Sequence, residues 1–199
     1  LMSRPVTKPS FFIAGAQKCG TSMLYHYLKQ HPHIFLPNLK EPHFYSDDLG
    51  LRNRVRDREN YFKLFEEAPS SALVGEASAS YLFSDNALPT IMAENPDAKI
   101  IVMLRNPVEM IQAYHSELCY NLAEDEEDFE RAWSLQAVRR QGEAIPPACG
   151  DPDILQYHDV GCLGDQVERL TDIVPASQRL VLIHDDIKQN VEEVYRNVL

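Results

Sequence analysis

Three features of this sequence predict an α/β fold, a parallel sheet flanked by helices. Four short apolar runs, at residues 11–15, 72–75, 99–104 and 179–184, have the length and content of buried strands. Segments of helical periodicity lie between them, the alternation that builds a parallel sheet. The first run breaks into a glycine-bracketed loop that leads straight into a helical pattern, so a strand, a loop and a helix N-terminus meet at one point.

That first helix takes in Met23, Leu24, Tyr25 and Leu28 and stops near Lys29, because Gln30-His31-Pro32-His33 cannot continue it. A short extended stretch, Ile34-Phe35-Leu36-Pro37, follows. Helices are expected over 58–67, closed by Pro69-Ser70-Ser71, and over 86–94, entering the third run. Pro107 suits the first turn of a helix reaching Tyr120. The acidic run at 124–128 reads as the solvated start of a helix over 129–140, with Trp133, Leu135 and Val138 spaced as its buried stripe. Pro146, Pro147, Gly150 and Pro152 mark 143–152 as a loop. Residues 157–163 are expected to pack a loop on the sheet, and 164–174 to form a helix. Asp185-Asp186 ends the last strand, where carboxylates can cap the next segment, and a final helix starts near Val191.

The loop Gly15-Ala16-Gln17-Lys18-Cys19-Gly20-Thr21-Ser22 is built to hold an anion. Backbone N–H groups and the positive end of the helix converge there, each charge–dipole contact contributing about 0.3–1 kcal/mol. The phosphate loop of nucleoside triphosphatases reads G-x-x-x-x-G-K-[ST]. Gly15 and Gly20 keep that spacing, but Thr21 stands where the lysine belongs and Lys18 sits within the loop. Such a P-loop-like turn cradles a phosphate without the lysine that reaches the outer phosphates of ATP. The run at 99–104 ends in Arg105 rather than in the aspartate that organises magnesium, which offers a second anion site; a structural salt bridge is the alternative reading.

The chain has 199 residues, 44% of them apolar and 25% charged, and reads as one domain. Its formal net charge of −11 argues against a general affinity for nucleic acid or anionic membrane. No apolar stretch approaches the roughly 18 residues that span a bilayer, and residues 1–5 lack the apolar core of a signal peptide. Cys19, Cys119, Cys149 and Cys162 have no metal-ligand spacing and are expected as free thiols of a cytoplasmic protein, with no metal bound. Lys40-Glu41-Pro42-His43-Phe44-Tyr45 is a further constellation, a charged pair on a proline-fixed path. It also reads as an exposed turn whose aromatics pack on the core.

Taken in order, the segments 11–22, 40–45, 75–82 (Gly75-Glu76-Ala77-Ser78-Ala79-Ser80-Tyr81-Leu82) and 104–109 resemble the sulfotransferase family. The likeness continues through 129–140 and 157–188, covers nearly the whole chain and is similar to a bacterial branch, with the glutamate of the glycosaminoglycan-modifying members. It implies the sulfotransferase fold over 1–199, with a C-terminus shorter than the family's domains. It also implies metal-free transfer of a sulfuryl group from 3′-phosphoadenosine 5′-phosphosulfate to a hydroxyl or amine, leaving 3′-phosphoadenosine 5′-phosphate.

The resemblance assigns the roles. Lys18, Cys19, Gly20, Thr21 and Ser22 would hold the phosphosulfate, with Lys18 neutralising charge on the leaving oxygen. Arg105 matches the ligand of the 3′-phosphate. The family's serine eight residues later is Ala113 here, and Ser116, one helical turn on, is the substitute considered. Glu41 matches the general base, worth about 10²–10⁴-fold in rate; His43 and His115 are the histidine alternatives. Lys40, His43, Ser78 and Tyr81 are placed beside the acceptor, and Glu76 near them. The acidic net charge favours a small-molecule or neutral carbohydrate acceptor. Two rival readings are a nucleotide kinase-like phosphoryl transferase and a non-catalytic module that keeps the donor pocket. The sequence carries no signature of oligomeric state.

Overall fold

A computed structural model describes residues 7–199, so the expectation made for residues 1–5 lies outside the described residues. Five strands, β1 (Phe11–Gly15), β2 (Ile34–Phe35), β3 (Leu73–Ala77), β4 (Lys99–Leu104) and β5 (Arg179–Ile183), form one sheet in the order β2-β3-β1-β4-β5. Every pairing is parallel. β1 is central and buried along its length, which is why it reads as an unbroken apolar run.

Among the described residues, ten α-helices connect and cover the strands. They are α1 (Thr21–Lys29), α2 (Arg58–Lys63), α3 (Ala87–Glu94), α4 (Pro107–Tyr120), α5 (Phe129–Ser134), α6 (Gln136–Arg139), α7 (Tyr157–Gly161), α8 (Leu163–Ile173), α9 (His184–Gln189) and α10 (Val191–Val198). Their starts follow local chemistry. Asp57, Asn106 and Asp128 cap α2, α4 and α5 by accepting the N–H groups of Asn60, Val108 and Arg131, at 2.8, 3.0 and 2.9 Å. Pro107 occupies the first turn of α4. The loop between β1 and α1, and the ends of β3, β4 and β5, therefore lie at the carboxyl edge of the sheet, where open α/β folds bind ligands.

Several elements depart from the sequence reading. β3 runs to Ala77, so that Glu76 and Ala77 register with Phe12 and Ile13. A glutamate hid this because its carboxylate is buried and satisfied by hydroxyls instead of solvent. The helix expected at 129–140 is two helices meeting at Leu135, and its inward side chains are Ala132 and Arg139. Trp133 and Val138 are exposed, at 42% and 37%. The reason is an ion pair: Arg139 Nη1 lies 2.5 Å from Glu124 Oε2, both side chains fully buried. Tyr157 donates to the same carboxylate at 2.6 Å. Glu124 is thus a core residue, not part of a solvated acidic run. Burial works to raise its pKa, but Arg139, Tyr157 and the Glu126 N–H hold it below the usual carboxylate range.

Residues 157–161 form helix α7, not a loop, and α9 begins where the last strand was expected to finish. Asp185 and Asp186 lie in the first turn of α9, where carboxylates meet the positive helix end. Among the described residues all four cysteines are free, and no helix is long and apolar enough to cross a membrane.

Candidate active site

A cavity of about 780 Å³ opens at the carboxyl edge of the sheet. The β1–α1 loop forms its floor, contributing Gln17, Lys18, Gly20, Thr21 and Ser22. Gly20 caps α1 at φ +98°, a left-handed conformation that favours glycine. A Cβ there would stand 3.2 Å from Met103 Cε and 3.3 Å from His184 Cδ2. The turn is therefore pressed between β4 and the start of α9. Lys18, at φ 55°, sends its ammonium to Glu117 Oε2 of α4, 2.6 Å away.

The segment 40–45 lies on another wall, through Lys40, Glu41 and His43. Glu41 and His43 both have positive φ, 63° and 52°. The Lys40 ammonium pairs with Glu41 Oε1. Glu41 Oε2 accepts the Ala79 N–H at 3.0 Å and stands 3.4 Å from His43 Nε2. Burial lowers the His43 pKa; the Glu41 charge opposes this and Lys40 adds to it. The His43 Nδ1 meets Ser80 Oγ at 2.7 Å.

Other sequence-predicted residues are placed differently. Cys19 turns into the core, where burial pushes its thiol up to about 11, so it belongs to the loop through its backbone. Ser78 and Tyr81 are buried behind the cavity wall, each donating to Glu76 at 2.6 Å. Ser116 is exposed, outside the cavity lining, and its hydroxyl donates to the Gln112 carbonyl at 3.0 Å. His115 is buried against Phe129 and Tyr157, with Nε2 2.8 Å from the Glu126 carbonyl oxygen. Arg105 lies at the end of β4, outside the cavity lining, and its guanidinium donates to Glu109 at 2.9 and 3.2 Å. Its charge still reaches Cys19 and His184.

The sequence reading missed a whole wall of the cavity. Tyr114, Glu117 and Leu118 fall at helical spacing on α4 and Asn121 caps its C-terminal end, so one face of that helix forms a wall. The spacing was readable; without the fold, its destination was not. His184 was also missed. It lines the cavity beside Gly20, and its Nδ1 is buried without a hydrogen-bond partner, 3.8 Å from Asp185. Burial, then Lys188 and Arg105, lower its pKa.

Two loops complete the enclosure. The Gly50 N–H donates to Asp151 Oδ2 at 2.8 Å, and Arg52 Nη2 donates to the Pro147 carbonyl at 3.2 Å. A Cβ on Gly50 would lie 2.6 Å from the Gly150 carbonyl oxygen, and one on Gly150 2.6 Å from that of Gly50. Backbone touches backbone, and glycine is required on both sides.

An anion loop, a carboxylate and a lysine facing one cleft define a group-transfer enzyme of the phosphate-loop α/β class. The family model of the sulfotransferase domain matches residues 8–198, and the chain belongs to that family. A sulfotransferase structure from Alicyclobacillus acidocaldarius superposes with a TM-score of 0.85 at 31% identity, covering 97% of this chain and 80% of that one. Carbohydrate sulfotransferase 15 of Mus musculus is 34% identical over 145 residues, covering 52% of this chain and 26% of the relative. Heparan sulfate glucosamine 3-O-sulfotransferase 6 of Homo sapiens is 33% identical over 100 residues, covering 50% and 28%. The matches thus span about a quarter of the length of these curated relatives.

Proposed function

We propose that this sulfotransferase uses 3′-phosphoadenosine 5′-phosphosulfate as donor and that Glu41 is its general base. The observation that carries the reading is that Glu41 and Lys18 line the same cavity as the glycine turn and the N-terminus of α1. The residues fit a phosphosulfate. Gly20 leaves the backbone unobstructed, the free N–H groups of the first turn attract an anion, and His184 lines the cavity beside Gly20. Lys18, Gly20, Thr21 and Ser22 would hold the phosphosulfate and Arg105 the 3′-phosphate.

In the transfer the sulfur–oxygen bond to the phosphate breaks as a bond from sulfur to the acceptor oxygen or nitrogen forms. The acceptor proton passes to Glu41, and Lys18 offsets the charge left on the phosphate oxygen. The Ala79 N–H and Lys40 each hold one oxygen of the Glu41 carboxylate. The cavity lining holds Lys18, Lys40 and Arg52 against Glu41 and Glu117, a near balance that suits a neutral acceptor better than a polyanion. A carbohydrate or other small hydroxyl compound is the acceptor class we assign.

Calorimetric titration with 3′-phosphoadenosine 5′-phosphate, with ATP and magnesium as control, tests the donor. Metal-independent binding weakened by Arg105→Ala supports it, and preference for ATP overturns it. For the base, Glu41→Gln should bind the same nucleotide normally while transfer to a panel of neutral sugars falls about 10²–10⁴-fold. Unchanged transfer would remove Glu41 from the reaction.

A further inference from the structure

We infer that Glu76 is the positioning residue of the catalytic turn: its ionised carboxylate, through Ser78 and Tyr81, fixes the backbone that presents Glu41 and His43 to the cavity. This rests on the reading of Glu41 as the base. Glu76 is fully buried at the end of β3 and does not line the cavity. Three hydroxyls donate to it: Ser78 to Oε1 at 2.6 Å, and Tyr81 and Tyr61 to Oε2 at 2.6 and 3.2 Å. Because both hydrogens are committed, the oxygens of Ser78 and Tyr81 are left as acceptors. Ser78 Oγ takes the His43 N–H at 2.9 Å, and the Tyr81 hydroxyl oxygen takes the Tyr45 N–H at 3.4 Å.

One carboxylate therefore sets the polarity of two bonds on a segment that needs holding. Positive φ at both Glu41 and His43 is strained for residues with side chains and persists only where surrounding contacts over-determine it. The remaining ties come from the same stretch: the Glu41 N–H donates to the Ala77 carbonyl at 2.9 Å, and the Ala79 N–H to Glu41 Oε2 at 3.0 Å. Protonating Glu76 forces one of the three hydroxyls to turn from donor to acceptor. If Ser78 or Tyr81 turns, its buried hydroxyl hydrogen loses the carboxylate oxygen that accepted it. Only the ionised form satisfies every member.

The groups facing Glu76 are Tyr61 from α2, Ser78 and Tyr81 after β3, the Tyr45 phenol and, at longer range, the Glu41 charge. Burial raises the Glu76 pKa to about 7; the bonds from Ser78, Tyr81 and Tyr61 limit the rise and Glu41 adds to it. The network accordingly switches within the neutral range.

Carbon-13 NMR of the chain labelled at glutamate Cδ, with amide shifts followed from pH 5 to 9, tests this without an acceptor. One glutamate should titrate near pH 7, the amides of both His43 and Tyr45 moving with the same midpoint. Glu76→Gln should abolish that midpoint at both amides. Ser78→Ala, a milder change, should remove it at His43 and keep it at Tyr45. Affinity for 3′-phosphoadenosine 5′-phosphate should stay within about twofold in each variant, since the donor floor is untouched. Transfer by Glu76→Gln should fall about 10²-fold, the scale of a misplaced reacting group, and lose its acidic limb near pH 7. Amides that ignore the glutamate titration, or that keep it in Glu76→Gln, would overturn the inference. If Glu41→Gln transfers normally while the amide coupling holds, the base assignment fails and the Glu76 linkage stands.

Discussion

Lys18 Nζ lies 2.6 Å from Glu117 Oε2, so the cation of the anion loop is tied to a carboxylate on α4 inside the same cavity. Both side chains are about one-third exposed, 35% and 39%, so the pair is screened by water and contributes at most about 1 kcal/mol. Its importance is to ligand binding. An entering anion must share Lys18 with Glu117 and face the glutamate's charge. Glu117→Gln is therefore expected to tighten 3′-phosphoadenosine 5′-phosphate about two- to fivefold at low salt, the gain shrinking as salt rises. Lys18→Ala should weaken it. Calorimetry across a salt series reads both.

The loops at Gly50 and Gly150 close one side of the cavity by direct backbone contact. Gly150→Ala places a methyl 2.6 Å from the Gly50 carbonyl oxygen, a collision with backbone that no rotamer relieves. It should destabilise the chain by about 1–3 kcal/mol, the range for overpacking. Gly164→Ala is the control, since a Cβ there meets nothing within 4 Å. Urea unfolding of the two variants should separate them clearly.

Glu124 and Arg139 form a fully buried pair, satisfied further by Tyr157 and the Ala144 carbonyl, which takes the Arg139 Nε–H at 3.1 Å. Removing one partner strands a charge in the core. Arg139→Met should cost about 3–5 kcal/mol. Glu124→Leu combined with Arg139→Met should cost less than Arg139→Met alone, because no lone charge remains. A double-mutant cycle by denaturant unfolding measures the difference.

This pair also shows where the sequence stops being legible. Helical spacing and an acidic run made Glu124 a surface residue and Trp133 a core residue, and both assignments reversed. Periodicity records which residues are apolar; it cannot register that two charges fifteen positions apart neutralise each other inside. The strands at 11–15 and 99–104 were readable to the residue, and the helices at 21–29 and 107–120 to within a residue or two, because an apolar run or a capping signal bounded each. The turn into α1 was equally plain, since its glycines act locally. What the sequence hid was convergence. Glu117 and His184 reach the loop from α4 and the start of α9, and Ser78 and Tyr81 work from behind the wall. Such placements depend on strand order, which no local pattern contains.

The buried Glu76 carboxylate also makes stability depend on pH with a definite sign. Its pKa is raised from an ordinary 4.5 to about 7, chiefly by burial. Between those values the native state holds a proton that the unfolded chain has released, so unfolding free energy falls as pH rises through the window. The contribution is fully present below about pH 4.5 and lost above about 7, a change of about 3 kcal/mol. Glu76→Gln, which does not titrate, removes this dependence. Urea unfolding at pH 5 and pH 8 should show wild type losing about 3 kcal/mol relative to the variant over that interval. A difference that stays constant would mean Glu76 keeps an ordinary pKa. The form that arranges the catalytic turn is then also the form that costs the fold most, so conditions favouring transfer should lie above those favouring stability.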